Sequence, residues 1–146
     1  MKKLVFFYLL TICSLSSYAQ NYFLGTSKDG IYEYYILNAT VDRKMGVTEV
    51  FSRIKPVEGK LPEFRKLEIE ARAKEKGSTD GFEKLGYIRR KIQYSCKAKK
   101  YRIVEIIYYE LNGKVIDKEE RDDKVKWEPI PGGSMRELEY KKICNL

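Results

Sequence analysis

Residues 86–120 read GYIRRKIQYSCKAKKYRIVEIIYYELNGKVIDKEE. From Gly86 to Cys96 the residues alternate. Ile88, Ile92, Tyr94 and Cys96 share one parity, and Tyr87, Arg89, Lys91 and Gln93 share the other, the period of a β-strand. The polar run Lys97–Lys100 turns the chain. Tyr101–Leu111 is apolar at both parities, with Ile103, Ile107 and Tyr109 on one and Val104, Ile106 and Tyr108 on the other. That pattern predicts a central strand covered on both faces. Asn112-Gly113 is a strong two-residue hairpin signal, so Lys114–Glu120 is expected to return antiparallel.

Working outward toward the N-terminus, Lys28-Asp29-Gly30 marks a tight turn between NYFLGT and the aromatic-rich run Ile31–Val41. DRKMG marks another turn before VTEVFSRI. Six strands joined by short turns follow from these signals. Asn38-Ala39-Thr40 fits a glycosylation pattern but falls inside a strand, and we discount it. Residues 55–80 form a charged insertion containing Pro56, Gly59 and Pro62. Pro62 suits a first helical turn and Gly77 a C-terminal cap. Leu61, Phe64, Leu67 and Ala71 would form the packed side, with Glu68–Arg72 and Glu70–Lys74 as i,i+4 pairs. Alternation at Leu67, Ile69, Ala71 and Ala73 is the competing strand reading, and the helix is preferred. Beyond Trp127, expected to pack over the sheet, Pro129 and Pro131 prevent a regular strand. Ser134 and Glu137 form a capping box that starts a helix at Met135. Its apolar residues are Met135, Leu138 and Ile143, with Tyr140 and Cys144 one turn apart.

The first residues, MKKLVFFYLLTICSLSSYAQ, read as a secretory signal peptide: two lysines, a short apolar core, and Ser17-Tyr18-Ala19 before the cut. The alternative, a lipoprotein signal, is disfavoured because Cys13 follows Ile12 and lies early. The expected organisation is a signal peptide over 1–19 and a single domain over 20–146, with no later transmembrane segment. Loss of Lys2 and Lys3 lowers the formal charge from +8 to +6. A basic exported domain favours acidic partners, although the charge also serves solubility. Cleavage leaves Cys96 and Cys144. In an oxidising compartment they are expected to pair with each other, the other reading being two separate buried thiols.

The chain contains no histidine. That removes the usual general base, proton shuttle and zinc ligand. No C-x-x-C pair, phosphate-binding loop or EF-hand loop is present. Glu119-Glu120 and Asp122-Asp123 read as solvated turn carboxylates. Glu105 shares a side with apolar residues and is expected to pair with Arg90 or Lys91. No catalytic residue, metal ligand or cofactor is assigned. The positive signal is Arg89–Arg102, basic and free of acids, with Tyr87, Tyr94 and Tyr101 interleaved. Arg89, Arg90, Lys91, Lys97, Lys99, Lys100 and Arg102 form the candidate binding surface. Nucleic acid is set aside as a partner, because an exported protein seldom meets it. Most of the twelve tyrosines are assigned to sheet packing.

The succession YSC, KAKKYRIVEIIYYELNGKVI and WEPIPGGSMRELEYKKIC resembles the surface-adhesin protein E family. In that family a cysteine closes one strand, a hairpin and a W-x-x-I-x-P-x-S segment follow, and a short helix ends in the second cysteine. FLGTSKDGIYEYY and GVTEVFSRI resemble its first strands. The resemblance covers residues 22–54 loosely and 86–144 closely, and leaves 55–80 unmatched. It implies an α+β fold: an antiparallel sheet of about six strands with a C-terminal helix stapled to it by Cys96–Cys144. It also implies a non-enzymatic protein of the bacterial surface or envelope, with host matrix or serum glycoproteins as partners. The sequence departs from the family in lacking a clear lipid-attachment cysteine. Cell-surface, secreted and periplasmic placements therefore stay open. The alternative function is a periplasmic accessory or structural protein of the envelope.

Overall fold

The computed structural model describes residues 21–121 and 124–144; the leader assigned to 1–19, Cys13 included, lies outside the described residues. Six strands follow one another across a single antiparallel sheet in chain order: β1 (Tyr22–Thr26), β2 (Tyr32–Asp42), β3 (Val47–Pro56), β4 (Leu85–Ser95), β5 (Lys100–Glu110) and β6 (Val115–Glu120). A two-residue β7 (Glu128–Pro129) pairs with Lys100 and Tyr101 at the start of β5. The expected meander is present, and β7 stops at the proline, which cannot donate to a ladder.

The turns are built as their residues dictate. Asp29 Oδ1 accepts the Ile31 N–H at 3.0 Å. Asp42 Oδ1 accepts from Lys44 and Met45 at 2.9 and 3.1 Å. At the β5–β6 turn Asn112 Oδ1 accepts the Lys114 N–H at 2.8 Å, and Gly113 takes φ 89°, a conformation open to glycine at no steric cost.

Residues 61–74 are helical, as preferred over the strand reading: α1 spans Leu61–Lys74, with Pro62 in its first turn. Its end differs in detail from expectation. Lys76, not Gly77, takes the left-handed conformation at φ 58°. The Gly77 N–H closes on Arg72 O at 3.0 Å and the Lys76 N–H on Ala73 O at 3.1 Å, the bonding of a Schellman motif. Its buried stripe also differs. Phe64 is fully buried and Arg72 nearly so, while Ala71 is exposed. Among the described residues neither Glu68–Arg72 nor Glu70–Lys74 forms an ion pair. Arg72 instead reaches across to Asp117 and Glu119 of β6 and lies over the rings of Phe82 and Tyr108. The apolar pattern of α1 was too sparse to show that a charged residue sits on its packed side.

α2 (Met135–Cys144) begins where the capping box places it. The Glu137 N–H donates to Ser134 Oγ at 3.2 Å, and the Glu137 carboxylate accepts from the Gly133 N–H at 2.7 Å. Leu138 is exposed and Glu139 is 2% exposed, the reverse of an apolar-stripe reading. The Tyr94 hydroxyl donates to Glu139 at 2.6 Å, and Arg136 bonds both Tyr94 and Glu139. This network satisfies the buried carboxylate, which would otherwise be costly.

Both helices pack on the same face of the sheet. Phe64 of α1 joins Ile54, Phe82, Leu85, Ile88 and Tyr108. Ile143 of α2 joins Ile36, Val50, Ile92 and Tyr94. The disulfide Cys96–Cys144 closes α2 onto the β4–β5 turn, with the Cα atoms 5.5 Å apart. Tyr140 reinforces it by donating to Cys96 O at 2.9 Å.

The expectation that β5 is covered on both faces is corrected. The β4–β5 register shifts between Lys91 and Ile92, opposite Glu105 and Ile103, so Val104 is an extra residue. A bulge changes the phase of alternation. Ile103 therefore joins Ile106 and Tyr108 on the helical side. Ile107 and Tyr109 lie on the other face, which carries no helix among the described residues.

Candidate binding surfaces

The seven basic residues divide into three environments. Lys97, Lys99 and Lys100 are exposed at the tip of the β4–β5 hairpin, next to the disulfide. Lys99 adopts φ 53°, which makes the turn tight. Among the described residues these three lysines enter no ion pair.

Arg89 and Lys91 lie further along β4, on the open face of the sheet. Arg89 stands opposite Arg53 of β3, and Lys91 opposite Phe51. Lys91 is 3.2 Å from Glu49 and lies over the Phe51 ring at 5.7 Å. Arg53 and Lys55 lie over the Tyr35 ring at 5.5 and 5.1 Å, and Tyr87 stacks on Tyr109 with ring centroids 4.8 Å apart. The open face is thus basic and aromatic along its middle. Glu105 is on this face too. It is bound by Lys118 of β6 at 3.0 Å and sits opposite Lys91, so its role is structural pairing. Neither of the two partners expected for it forms the pair among the described residues: Arg90 points to the helical face, and Lys91 is engaged with Glu49.

Arg102 and Arg90 are not part of either patch. Arg102 is 8% exposed; its Nε donates to Gln93 at 2.8 Å, and its guanidinium lies 4.7 Å from the Trp127 ring. Trp127 packs over the sheet as expected, by stacking on this arginine. Arg90 points to the helical face, in the row Ile88-x-Arg90-x-Ile92. Burial, and then the neighbouring Arg136, lower its pKa to about 10. The alternation of β4 already places Arg90 on the apolar parity. Its six basic neighbours in sequence hid that signal.

Across from Arg90, Glu68 of α1 is held above the usual carboxylate range by burial, in spite of the Tyr32 hydroxyl and Arg90 beside it. A carboxyl whose folded pKa is raised is penalised when ionised. That penalty is present at neutral pH and vanishes as pH falls through the folded value and then the unfolded one. Glu68→Gln is therefore expected to raise the urea midpoint at pH 7, and the gain over wild type should disappear in acid. Urea titrations across that pH range check both the sign and the pH dependence.

Among the described residues no three His, Cys, Asp or Glu side chains come close enough to hold a metal ion. Among the described residues no helix is long and apolar enough to cross a membrane.

An in-order antiparallel sheet, two helices on one face, a disulfide from a hairpin to the last helix and an open face of cations and rings define a disulfide-stapled α+β domain. The chain belongs to the surface-adhesin protein E family, whose model matches residues 23–145. The match takes in α1 and residues 55–80, which the motifs alone left open. Membership carries a surface-adhesin-like binding role, a non-enzymatic protein and a surface or exported placement. Among curated proteins and among solved structures, nothing matches the chain.

Proposed function

We propose that the protein is an exported binding module that contacts acidic or glycosylated extracellular proteins, such as host matrix or serum glycoproteins, through the tip of the β4–β5 hairpin. The observation that carries this reading is the cluster Lys97, Lys99 and Lys100. All three are exposed and, among the described residues, enter no ion pair, on a turn pinned by a disulfide. A pinned turn loses little conformational freedom on binding, which favours affinity. Arg89 and Lys91 continue the positive field along the open face, and Tyr87 and Tyr109 supply flat contact area beside it. Arg90 supports the fold from the helical face, and Arg102 is buried on the open face under Trp127.

Contacts of this kind weaken as salt rises, because exposed charges are screened. The triple variant Lys97→Glu, Lys99→Glu, Lys100→Glu is expected to lower affinity for an immobilised acidic matrix glycoprotein by about tenfold or more, mainly through the association rate. Its circular dichroism should be unchanged, since none of the three is packed. Surface plasmon resonance at low and high salt reads both effects. Unchanged binding by the folded variant overturns the hairpin assignment. Protease treatment of intact cells tests placement: a surface protein is cut, and a periplasmic accessory protein is protected.

A further inference from the structure

We propose that the cleft between the two helices binds an organic carboxylate bearing a short aromatic or aliphatic group, with Arg90 as the anion receptor. Two cavities of about 230 and 270 Å³ adjoin there and share Tyr34 and Arg90. One end is polar, lined by Ser134, Arg136 and Glu139 of α2 and its N-cap. The other has an apolar wall of Ile54, Ile103, Ile106 and Tyr108, with Glu68 and Tyr32 beside it. Arg90 stands at the junction.

The state of Arg90 is what points to a ligand. Its Nε is buried and has no hydrogen-bond partner, and among the described residues no carboxylate forms an ion pair with its guanidinium. The nearest acid of α2, Glu139, already accepts from Tyr94 and Arg136. The acid of α1, Glu68, sits at the apolar end beside Tyr32. A buried guanidinium Nε without an acceptor is unfavourable, and the planar fork is shaped for two parallel bonds to a carboxylate. The first turn of α2 adds positive potential on the side where the carboxylate would lie, while Arg136 there is offset by its ion pair with Glu139. The apolar end then accommodates the group attached to it. Glu68 at that end disfavours a second negative charge, so the fitting ligand is a monoanion.

The same chemistry is offered by a free carboxylic acid and by the C-terminal carboxylate of a peptide. Calorimetric titration of the disulfide-bonded exported protein with 3-phenylpropanoate and 3-phenylpropanamide, and with acetyl-phenylalanine and its amide, distinguishes them. At least one acid is expected to bind about tenfold or more tightly than its amide, the worth of a charge-assisted pair. The tighter of the two acids identifies the source. Arg90→Met should remove the preference for acid over amide, and the Lys97, Lys99, Lys100 triple variant should keep it. Absence of binding by both acids, equal binding of each acid and its amide, or a preference that survives Arg90→Met would overturn the proposal. The wild-type acid and amide comparison decides the matter even where the Arg90 variant folds poorly.

Discussion

Replacing Cys96 and Cys144 together with serine is expected to lower the unfolding free energy by about 4 kcal/mol. The bridge spans 48 residues of chain, and a cross-link of that reach removes much of the freedom of the unfolded state. The native-state consequences converge on α2. A helix of ten residues does not persist in water on its own. What holds it otherwise is the packing of Ile143 and Tyr140, the Tyr140 bond to Cys96 O and the Tyr94–Glu139–Arg136 network. Urea unfolding of oxidised wild type against the double variant measures the loss. Hydrogen exchange in Met135–Cys144 should rise more than in β3 or β4. An unchanged urea midpoint would mean that the side-chain network alone anchors the helix. The lysine tip begins at the residue after Cys96, so the same variant should also weaken hairpin binding while leaving its charge intact.

The sheet was legible because its turns carry their own chemistry: Asp29, Asp42 and Asn112 each bond the backbone two residues on. The staple was legible because one pair of cysteines remains after the predicted leader. The face assignment that failed on β5 has a definite cause. Alternation is a one-dimensional signal, and the extra residue Val104 inverts its phase without marking itself in composition. The stripe of α1 failed for another reason. Arg72 buries a charge against carboxylates 45 and 47 residues away, and no local pattern announces a partner at that distance. The basic run shows the same limit. Seven cations adjacent in sequence look like one surface, but pleating sends Arg89 and Arg90 to opposite faces, and the length of β4 separates Arg89 from the tip. What local sequence does report is the exposure of the tip, where Lys97, Lys99 and Lys100 face solvent.

Gly86→Val is expected to cost about 4 kcal/mol and Gly86→Ala about 2 kcal/mol, effects of the size seen when a close backbone contact is overfilled. A Cβ on Gly86 would lie 2.5 Å from Leu111 N, 2.7 Å from Leu111 Cα and 2.9 Å from the Glu110 carbonyl carbon. All three are backbone atoms, so no rotamer change relieves the clash. The β4–β5 register shifts at this point, between Leu85 and Tyr87. The shift lets Leu85 and Ile88 face the same side, where both pack with Phe64 and Phe82 under α1. Without it, alternation would send Leu85, now fully buried, to the open face. The carbonyl of Leu85 also receives Arg65 Nε at 2.8 Å, so the bulge positions α1 as well as the sheet. A substituted chain can relieve the contact by parting β5 from β4 or by expelling the bulge, and either route uncovers the first core cluster. Gly132→Ala is the internal control, since a Cβ there meets nothing within 4 Å. Urea midpoints should fall steeply for the Gly86 variants and stay within about 0.5 kcal/mol of wild type for Gly132→Ala. Comparable losses at both positions would show that the close approach at Leu111 is not what requires glycine.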